Sequence, residues 1–271
     1  MEEIMHKLCR KWMKLRLRPI RVFCLHHVCE QFDAEAMYPC DWMALDEFKQ
    51  KIKALRSQGY QFISLTEAYH HLKKDWFRRK KYAVLTFDDG YKSLLEVLPW
   101  LEEQNIPATL FINGKYLDGK SYRKNPNEKY LTKKELCALI SPLIEIGNHG
   151  WEHKHATEMT AEEFAESVKR NIGLLSGHPN YIPFWAYTYG SHSNKTDDYL
   201  HRQGLVPVYI DGMKNYNEIK SNKAIPIIDQ DYKDGEIFDL ISNGTYIGAI
   251  RFHLATVPGI NTDITTIDKN T

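Results

Sequence analysis

Short apolar runs alternate with amphipathic stretches along most of the chain. Strands are predicted from β-prone runs at positions 20–25, 62–65, 82–87, 108–112, 184–187, 206–210 and 248–252. Apolar residues at helical spacing predict helices at 46–58, 66–72 and 93–104, with a further helix after Thr160. About seven or eight β/α units in one chain predict an α/β fold that forms a parallel barrel.

Local signals refine the helix boundaries. The segments TKKE (132–135) and TAEE (160–163) have the spacing of capping boxes, in which two side chains bind the first backbone N–H groups of a helix. Thr66 is expected to cap the helix that follows it. Pro99 lies within 93–104, and we expect it to kink or shorten that helix because proline has no N–H.

Polar side chains follow the apolar runs where strands are predicted to end. Asp88 and Asp89 directly follow the run at 82–87; because adjacent anions repel, a divalent cation or a catalytic pair would explain them. His149 and His153 follow a short apolar run from position 144 that predicts a further strand, and their spacing puts both imidazoles on one face if the chain is helical there. One aspartate with two histidines is typical of an open metal site that keeps a place for water.

Each motif alone has a simpler interpretation. The segment DDG (88–90) is an ordinary turn when taken by itself, and His149 and His153 alone are consistent with surface histidines on a helix. Both motifs at the ends of predicted strands favour a metal site. His155 is an alternative to one of the two histidine ligands.

Composition limits the classes of protein. Hydrophobic residues make up 43% and charged residues 26%, with a net charge of +1, which predicts a globular protein and no preference for nucleic acid or an acidic membrane. The 5 cysteines include no Cys-x-x-Cys pair and predict reduced thiols. No apolar run approaches the roughly 20 residues of a membrane helix, and residues 1–14 lack the apolar region of a secretory signal. We therefore expect a cytoplasmic protein, or an extracytoplasmic one if its N-terminus was trimmed.

Two motifs together carry a family resemblance. TFDDG (86–90) and HGWEH (149–153) resemble, in that order, the first two motifs of the polysaccharide deacetylases, the NodB homology domain of carbohydrate esterase family four. Three more segments resemble the poly-N-acetylglucosamine deacetylase branch of this family: VFCLHHV (22–28), WAYTYG (185–190) and IRFH (250–253). The likeness covers about residues 20–255 of a single domain, 1–271. It implies a distorted (β/α) barrel of about seven or eight strands.

The resemblance also implies a reaction. The chain would be a metal-dependent hydrolase that removes acetyl groups from an N-acetylated or O-acetylated carbohydrate. Asp89, His149 and His153 would bind one divalent ion, zinc in the first place, with cobalt or nickel as alternatives. Such an ion lowers the pKa of bound water from 15.7 to about 7 and polarises the acetyl carbonyl. Asp88 would act as general base on that water and His253 as general acid toward the leaving amine.

Four further side chains are expected to contact the sugar. His26 belongs to the opening segment of the resemblance, and Trp185, Tyr187 and Tyr189 offer aromatic faces on which a pyranose ring can stack. A place in the core is equally consistent with the sequence for any single one of these three rings. A backbone N–H near Tyr189 would help to hold the oxyanion. We expect Trp185 to form one wall of the cleft and to narrow it, which would favour short or unusual substrates over long chitin-like chains.

The chain departs from the family pattern at the third motif. Trp185 and Thr188 stand where the family usually has an arginine and a proline, and in the family that arginine orients the catalytic aspartate. Arg251 is a candidate replacement. The Asp-x-x-Asp-Trp motif that tunes the acid histidine is also not visible. Two other functions therefore stay open: a catalytically silent relative that binds carbohydrate or metal, and a hydrolase of another small amide.

Overall fold

The computed structural model describes residues 20–30, 42–74, 80–120, 129–209, 228–229 and 251–252. These residues form a large curled sheet and a small two-stranded sheet, with helices packed against the larger one. Within the described ranges, no helix is both long enough and apolar enough to cross a lipid bilayer.

Strands and helices are numbered in chain order. The strands are β1 (Ile20–Leu25), β2 (His27–Cys29), β3 (Trp42–Ala44), β4 (Tyr60–Phe62), β5 (Lys81–Phe87), β6 (Ala108–Ile112), β7 (Ile144–Asn148), β8 (Tyr181–Ala186), β9 (Val206–Tyr209), β10 (Ile228–Asp229) and β11 (Arg251–Phe252). The helices are α1 (Leu45–Ser57), α2 (Leu65–Lys74), α3 (Leu94–Glu103), α4 (Lys133–Ala138), α5 (Ala161–Leu175) and α6 (Asn194–Arg202). Short 3-10 turns lie at Gly114–Tyr116, Ala156–Glu158 and Thr188–Gly190.

The large sheet has the strand order β10-β1-β5-β6-β7-β8-β9-β11, and β4 pairs with the first residues of β5. Among its described pairs, all are parallel except β9 with β11. The sheet is a curled half-barrel with helices, which confirms the predicted α/β class. The two-residue strands β10 and β11 bring its described strands to 9, more than the seven or eight predicted.

Both faces of the large sheet are buried. On β1, Phe23 and Leu25 point to the face that packs against α1 and α3, whereas Val22 and Cys24 point to the opposite face. That opposite face is filled by side chains of β1, β5, β6, β8 and β9, which pack against one another and against Leu65, Ala68 and Tyr69 of α2. Burial on both faces explains why these strands are apolar runs without alternation.

The predicted helices at 46–58 and 93–104 are confirmed as α1 and α3, each with slightly different ends. Pro99 lies inside α3, and the helix continues beyond it to Glu103. The two predicted capping boxes are present at the starts of α4 and α5, each with both of its hydrogen bonds. Local sequence signals were therefore sufficient for these boundaries.

The predictions around 62–65 were wrong. The strand there is Tyr60–Phe62, and α2 already begins at Leu65, so Thr66 lies inside the helix instead of capping it. Ser64 takes the capping role, because its Oγ accepts a hydrogen bond from the Glu67 N–H at 3.1 Å. The Glu145 carboxylate on β7 accepts hydrogen bonds from the N–H groups of Leu65 at 3.0 Å and Thr66 at 3.3 Å. A carboxylate stabilises the N-terminus of a helix, and this one is supplied by a residue that is distant in sequence.

The strand ends meet at one edge of the sheet. Because β5, β6, β7 and β8 are parallel neighbours, the residues that follow each of them lie close together. Asp88 and Asp89 follow β5, Asn113 follows β6, His149 follows β7 and Tyr187 follows β8. This edge carries the candidate functional residues.

Candidate active site

The two aspartates at the end of β5 have different backbone conformations. The Asp88 N–H donates to the Leu25 carbonyl oxygen at 2.9 Å, which extends the pairing of β1 with β5 by one residue. Asp89 has a left-handed backbone with φ of 71°, and Gly90 follows with φ of 81°. A Cβ atom at position 90 would also lie only 3.0 Å from Ile112 Cδ1. Left-handed backbone is strained for a residue other than glycine, and such strain is concentrated at functional sites.

The two histidines come from a loop after β7. The helical arrangement that their spacing suggested is not formed, because residues 149–153 have no regular helix and Gly150 has φ of 89°. The loop nevertheless brings the ring centroids of His149 and His153 to 5.5 Å. Their Nε2 atoms lie 3.4 Å and 3.0 Å from Oδ1 of Asp89. The loop therefore directs both imidazoles to one carboxylate.

The second ring nitrogen of each histidine, Nδ1, faces away from Asp89 and is here called the outer nitrogen. In both rings it contacts a residue at the end of β8 or just after it. Nδ1 of His149 lies 3.0 Å from the Ala186 carbonyl oxygen, and because a carbonyl only accepts, this nitrogen donates. Nδ1 of His153 lies 3.0 Å from the Tyr189 hydroxyl. Outer partners of this kind fix the ring orientation and tautomer of metal-binding histidines. Both Nε2 atoms are consequently directed toward Asp89.

Burial and charge act in opposite directions on this group. Burial disfavours the Asp89 carboxylate, but the charge of His153 and hydrogen bonds with both histidines prevail and hold its pKa well below the usual 3.8. Burial likewise disfavours a charged His149, but attraction by Asp88 and Asp89 prevails and raises its pKa above the usual 6.5. The two aspartates thus favour a positive charge on the group that lies between them, either a protonated His149 or a bound cation.

The donor set fits a divalent cation. One oxygen of Asp89 and one nitrogen each of His149 and His153 all lie within 4.8 Å of one another. A carboxylate with two imidazoles, whose outer nitrogens are already engaged, is a donor set typical of open zinc sites. These three residues could therefore hold the ion that the sequence predicted.

Asp88 lies beside this group but has other neighbours. Its Oδ2 accepts a hydrogen bond from the Cys24 thiol at 3.3 Å and lies 3.8 Å from Nε2 of His149. Its Oδ1 is buried and has no hydrogen-bond partner among the described residues. A buried carboxylate oxygen without a donor is unfavourable. This oxygen is therefore suited to accept a proton or to bind a ligand.

Two polar side chains that the sequence analysis did not assign to the site hold the backbone of His149. Nδ2 of Asn113 donates to the His149 carbonyl oxygen at 2.7 Å, and Oγ1 of Thr188 donates to the same oxygen at 3.0 Å. Both residues follow strands of the sheet, so their position at a strand end was the available signal.

Two of the predicted substrate contacts need correction. The Trp185 side chain is only 3% exposed and packs against Phe164, so its indole does not form a cleft wall. Tyr187 is 1% exposed, and its hydroxyl donates to Asp197 at 2.8 Å. Alternation along the last residues of a buried strand placed both rings in the core. Tyr189, by contrast, is 57% exposed beside the histidine loop.

The remaining histidines near the site differ in their surroundings. His26 is half-buried just beyond β1, and one of its ring nitrogens lies within 4.8 Å of donor atoms of Cys24 and Asp88. His155 stacks on the Tyr189 ring with centroids 4.2 Å apart. His155 does not belong to the donor group of Asp89, His149 and His153, so the structure gives no support to it as an alternative ligand.

Two predicted residues fall near the end of the chain. His253 lies outside the described residues. Arg251 is in β11, where its backbone pairs with Tyr209, but its side chain is not among the described parts of the structure. The general acid and the replacement for the family's arginine therefore stay predictions.

The match to a known family covers the whole donor group. Residues 77–208 match the family described as Polysaccharide deacetylase. This segment is a polysaccharide deacetylase domain. The matched segment contains both aspartates and both histidines of the site, and the family is one of hydrolases. The family resemblance predicted from TFDDG and HGWEH is thereby confirmed.

Two curated relatives and one solved structure are similar to this polysaccharide deacetylase domain. YxkH of Bacillus subtilis, whose name assigns it to the polysaccharide deacetylases, is 29% identical over 155 residues, which are 55% of this chain and 52% of YxkH. The poly-beta-1,6-N-acetyl-D-glucosamine N-deacetylase of Escherichia coli K12 is 25% identical over 142 residues, 49% of this chain and 21% of that protein. The chain thus matches about half of one relative and a fifth of the other. IcaB from Ammonifex degensii shares the fold, with a TM-score of 0.58 and 24% identity over 70% of this chain and 83% of that one.

Proposed function

We propose that this chain is a metal-dependent deacetylase that hydrolyses acetyl groups on an N-acetylated, or O-acetylated, carbohydrate. The main support is the convergence of one oxygen and two nitrogens from Asp89, His149 and His153, with Asp88 beside them. Zinc is the first candidate for the ion because it accepts carboxylate and imidazole donors, and cobalt or nickel are alternatives.

The chain's own residues divide the work of hydrolysis. When bound, a divalent ion lowers the pKa of a water and polarises the acetyl carbonyl. Asp88 accepts the proton of the attacking water through Oδ1, which has no competing donor among the described residues. Ala186 and Tyr189 keep the two imidazoles in position from outside. His253 is proposed to return a proton to the leaving amine.

The substrate proposal rests on the relatives and on one exposed ring. The name of the Escherichia coli relative specifies the N-deacetylation of poly-beta-1,6-N-acetyl-D-glucosamine, which makes β-1,6-linked N-acetylglucosamine the first substrate to test. Tyr189 offers an exposed aromatic face next to His153 on which a pyranose could stack. We also retain His26 as a proposed substrate contact, whereas Trp185 and Tyr187 are too buried for this role.

An acetate-release assay tests the proposal. The full chain would be stripped of metal, reloaded with one equivalent of zinc, and incubated with β-1,6- and β-1,4-linked N-acetylglucosamine oligomers, acetylated xylan and simple N-acetyl amines. We expect zinc-dependent acetate release from a carbohydrate, which Asp88→Asn slows by about 10²–10⁴-fold. Asp198→Asn, the same substitution on an exposed position of α6, should leave release unchanged.

Two outcomes would contradict this proposal. A protein that binds zinc but releases acetate from none of these substrates would be a catalytically silent relative. Release only from the simple amines would indicate a hydrolase of another small amide.

A further inference from the structure

A second group of donors lies on the other side of the aspartate pair. One atom each of Cys24, His26 and Asp88 lies within 4.8 Å of the other two. Cys24 is the fifth residue of β1, and His26 comes directly after the strand, two residues beyond Cys24. Because side chains two residues apart along a strand point the same way, both lie on the same side of the sheet. Asp88 follows the neighbouring strand β5, whose residue Thr86 is in register with Cys24. Two adjacent parallel strands therefore bring a thiol, an imidazole and a carboxylate together.

Two observations indicate that this group is suited to a ligand. Oδ1 of Asp88 is buried and has no hydrogen-bond partner among the described residues, although the residue is only 3% exposed. Sγ of Cys24 lies 3.3 Å from Oδ2 of the same carboxylate. Zinc bonds of about 2.0–2.3 Å in a tetrahedral site place neighbouring ligand atoms roughly 3.3–3.8 Å apart. The thiol and the carboxylate already have nearly the spacing that a shared ion requires.

We propose that Cys24, His26 and Asp88 form a second cation site, which takes a thiophilic divalent ion such as zinc. On binding, the S–H bond of Cys24 breaks, its electron pair forms the bond to the ion, and the proton passes to water. Thiolate and imidazole ligands favour zinc or cobalt over magnesium or calcium. A water molecule completes the coordination.

The second site fills after the first. The Asp89 group is already oriented by outer hydrogen bonds to both histidines, whereas the second group must lose a proton from a buried thiol. The two groups are also close enough for their charges to interact, since Oδ2 of Asp88 lies 3.8 Å from Nε2 of His149. Two cations at that proximity repel each other. The second ion therefore binds more weakly than the first.

Occupation of the second site inhibits hydrolysis. An Asp88 carboxylate that binds an ion cannot accept the proton of the attacking water, so activity rises with the first equivalent of zinc and falls with excess. This consequence rests on the proposed function, whereas the binding of two ions does not. The two statements can therefore fail independently.

A cobalt titration of the metal-free wild-type protein tests the site without any variant. Cobalt bound by a thiolate absorbs in the near ultraviolet through charge transfer from sulfur, whereas cobalt bound only by nitrogen and oxygen does not. We expect two ions per chain, with the charge-transfer band confined to the second equivalent. A stoichiometry of one, or two ions without this band, would overturn the second site.

Two cysteine variants assign the sulfur. Cys24→Ser keeps a hydroxyl beside Asp88 and should bind one ion without the band, while Cys137→Ser, at an exposed position, should still bind two. If Cys24→Ser does not fold, Cys24→Ala takes its place. Two ions with the band in the Cys24 variant would show that the sulfur ligand lies elsewhere.

Zinc inhibition then tests the consequence. The ratio of activity in excess zinc to activity at one equivalent is compared within each protein, so that any effect on basal activity cancels. We expect this ratio to be well below one for wild type and Cys137→Ser, and close to one for Cys24→Ser. Equal ratios in all three would exclude inhibition through this site. Two bound ions without activity at any zinc concentration would instead reject the proposed deacetylase function.

Discussion

The two sides of the aspartate pair differ in which groups their carboxylates contact. Asp89 and Asp88 are neighbours in sequence and are 1% and 3% exposed. On the Asp89 side, two imidazoles point at one carboxylate oxygen and each outer nitrogen has its own partner. On the Asp88 side, one carboxylate oxygen contacts a thiol, and the other has no hydrogen-bond partner among the described residues.

This difference originates in the backbone. Asp88 still belongs to the ladder between β5 and β1, so its side chain lies beside Cys24 of that strand. The left-handed conformation at Asp89 turns the chain, and the next carboxylate meets the loop after β7 instead. Two identical residue types therefore acquire different chemistry from one strained dihedral angle. The Asp89 side, with its two imidazoles, is suited to hold an ion, and the Asp88 side is suited to proton transfer.

Exchanging each aspartate for asparagine should have the largest effect and would test the comparison directly. Asp89→Asn removes a charged donor from the ion and should lower zinc affinity by more than the roughly 10–100-fold typical of an outer partner. Asp88→Asn should keep the first zinc ion but lower kcat/KM by about 10²–10⁴, the usual contribution of a general base. Zinc content by elemental analysis and acetate release would be measured on both variants.

The same two variants would also reveal whether the roles of Asp88 and Asp89 are reversed. If Asp88→Asn loses the first ion while Asp89→Asn retains it, the two roles are reversed. The exposed Asp198→Asn variant controls for unspecific effects of the substitution.

The sequence predicted the strand ends well because the chemistry there is local. Asp88 and Asp89 follow a continuous apolar run directly, and such a run is recognisable without any distant partner. The same holds for the capping boxes at α4 and α5, whose two hydrogen bonds join residues three apart. Patterns that a single segment completes by itself were predictable.

Features that depend on distant residues were not predictable. The Glu145 carboxylate reaches the first N–H groups of α2 from β7, a strand far along the chain. Asn113 and Thr188 meet at the carbonyl of His149 only because β6, β7 and β8 are neighbours in the sheet. The burial of the Trp185 side chain likewise depends on α5, which packs against it. An aromatic run at a strand end has the same sequence whether it faces a cleft or a helix.

Truncating Trp185 should test the support beneath the Asp89 side. Cζ2 of its ring lies 3.7 Å from the point that a Cβ atom on Gly150 would occupy. The indole therefore packs under the loop that joins the two histidines. Trp185→Ala should reduce the free energy of unfolding by about 3–5 kcal/mol because it leaves a cavity in the core. Trp185→Phe should reduce it less. Chemical denaturation without zinc measures this loss without a contribution from the ion.

The Trp185 variants also test the discarded cleft wall. An unfolding free energy unchanged in Trp185→Ala, together with an altered substrate range, would restore the idea that the indole contacts the sugar.

Removing one hydroxyl should have a smaller effect on the Asp89 side. Tyr189→Phe deletes the partner of Nδ1 of His153, and loss of an outer partner typically lowers metal affinity by about 10–100-fold. Tyr199→Phe makes the same change on α6 and should leave the affinity unchanged. Competition with a fluorescent zinc chelator would measure both. Equal affinities for the two variants would show that the hydroxyl does not orient the ring.

The smallest effect that we predict is a dependence of zinc stabilisation on pH. Attraction by the two aspartates prevails over burial and raises the pKa of His149, so in the ion-free protein this contact is fully stabilising below about pH 6.5. The contribution is lost as the pH rises through the folded-state pKa. Asp89 has a lowered pKa, so its contribution is lost only in acid, below about pH 4, and does not interfere. Because neutral imidazole is the ligand, zinc binds more tightly over the same rise in pH.

The rise in Tm caused by a fixed zinc concentration should therefore be larger at about pH 8 than at about pH 6.5. Differential scanning calorimetry with and without zinc measures this increment. His155→Gln, which removes the ring stacked on Tyr189, should preserve its pH dependence. An increment that is independent of pH in the wild-type protein would mean that His149 does not bind the ion. The convergence on the Asp89 side would then be an ion pair between a buried histidine and two carboxylates, and the distinction between the two sides would lose its chemical basis.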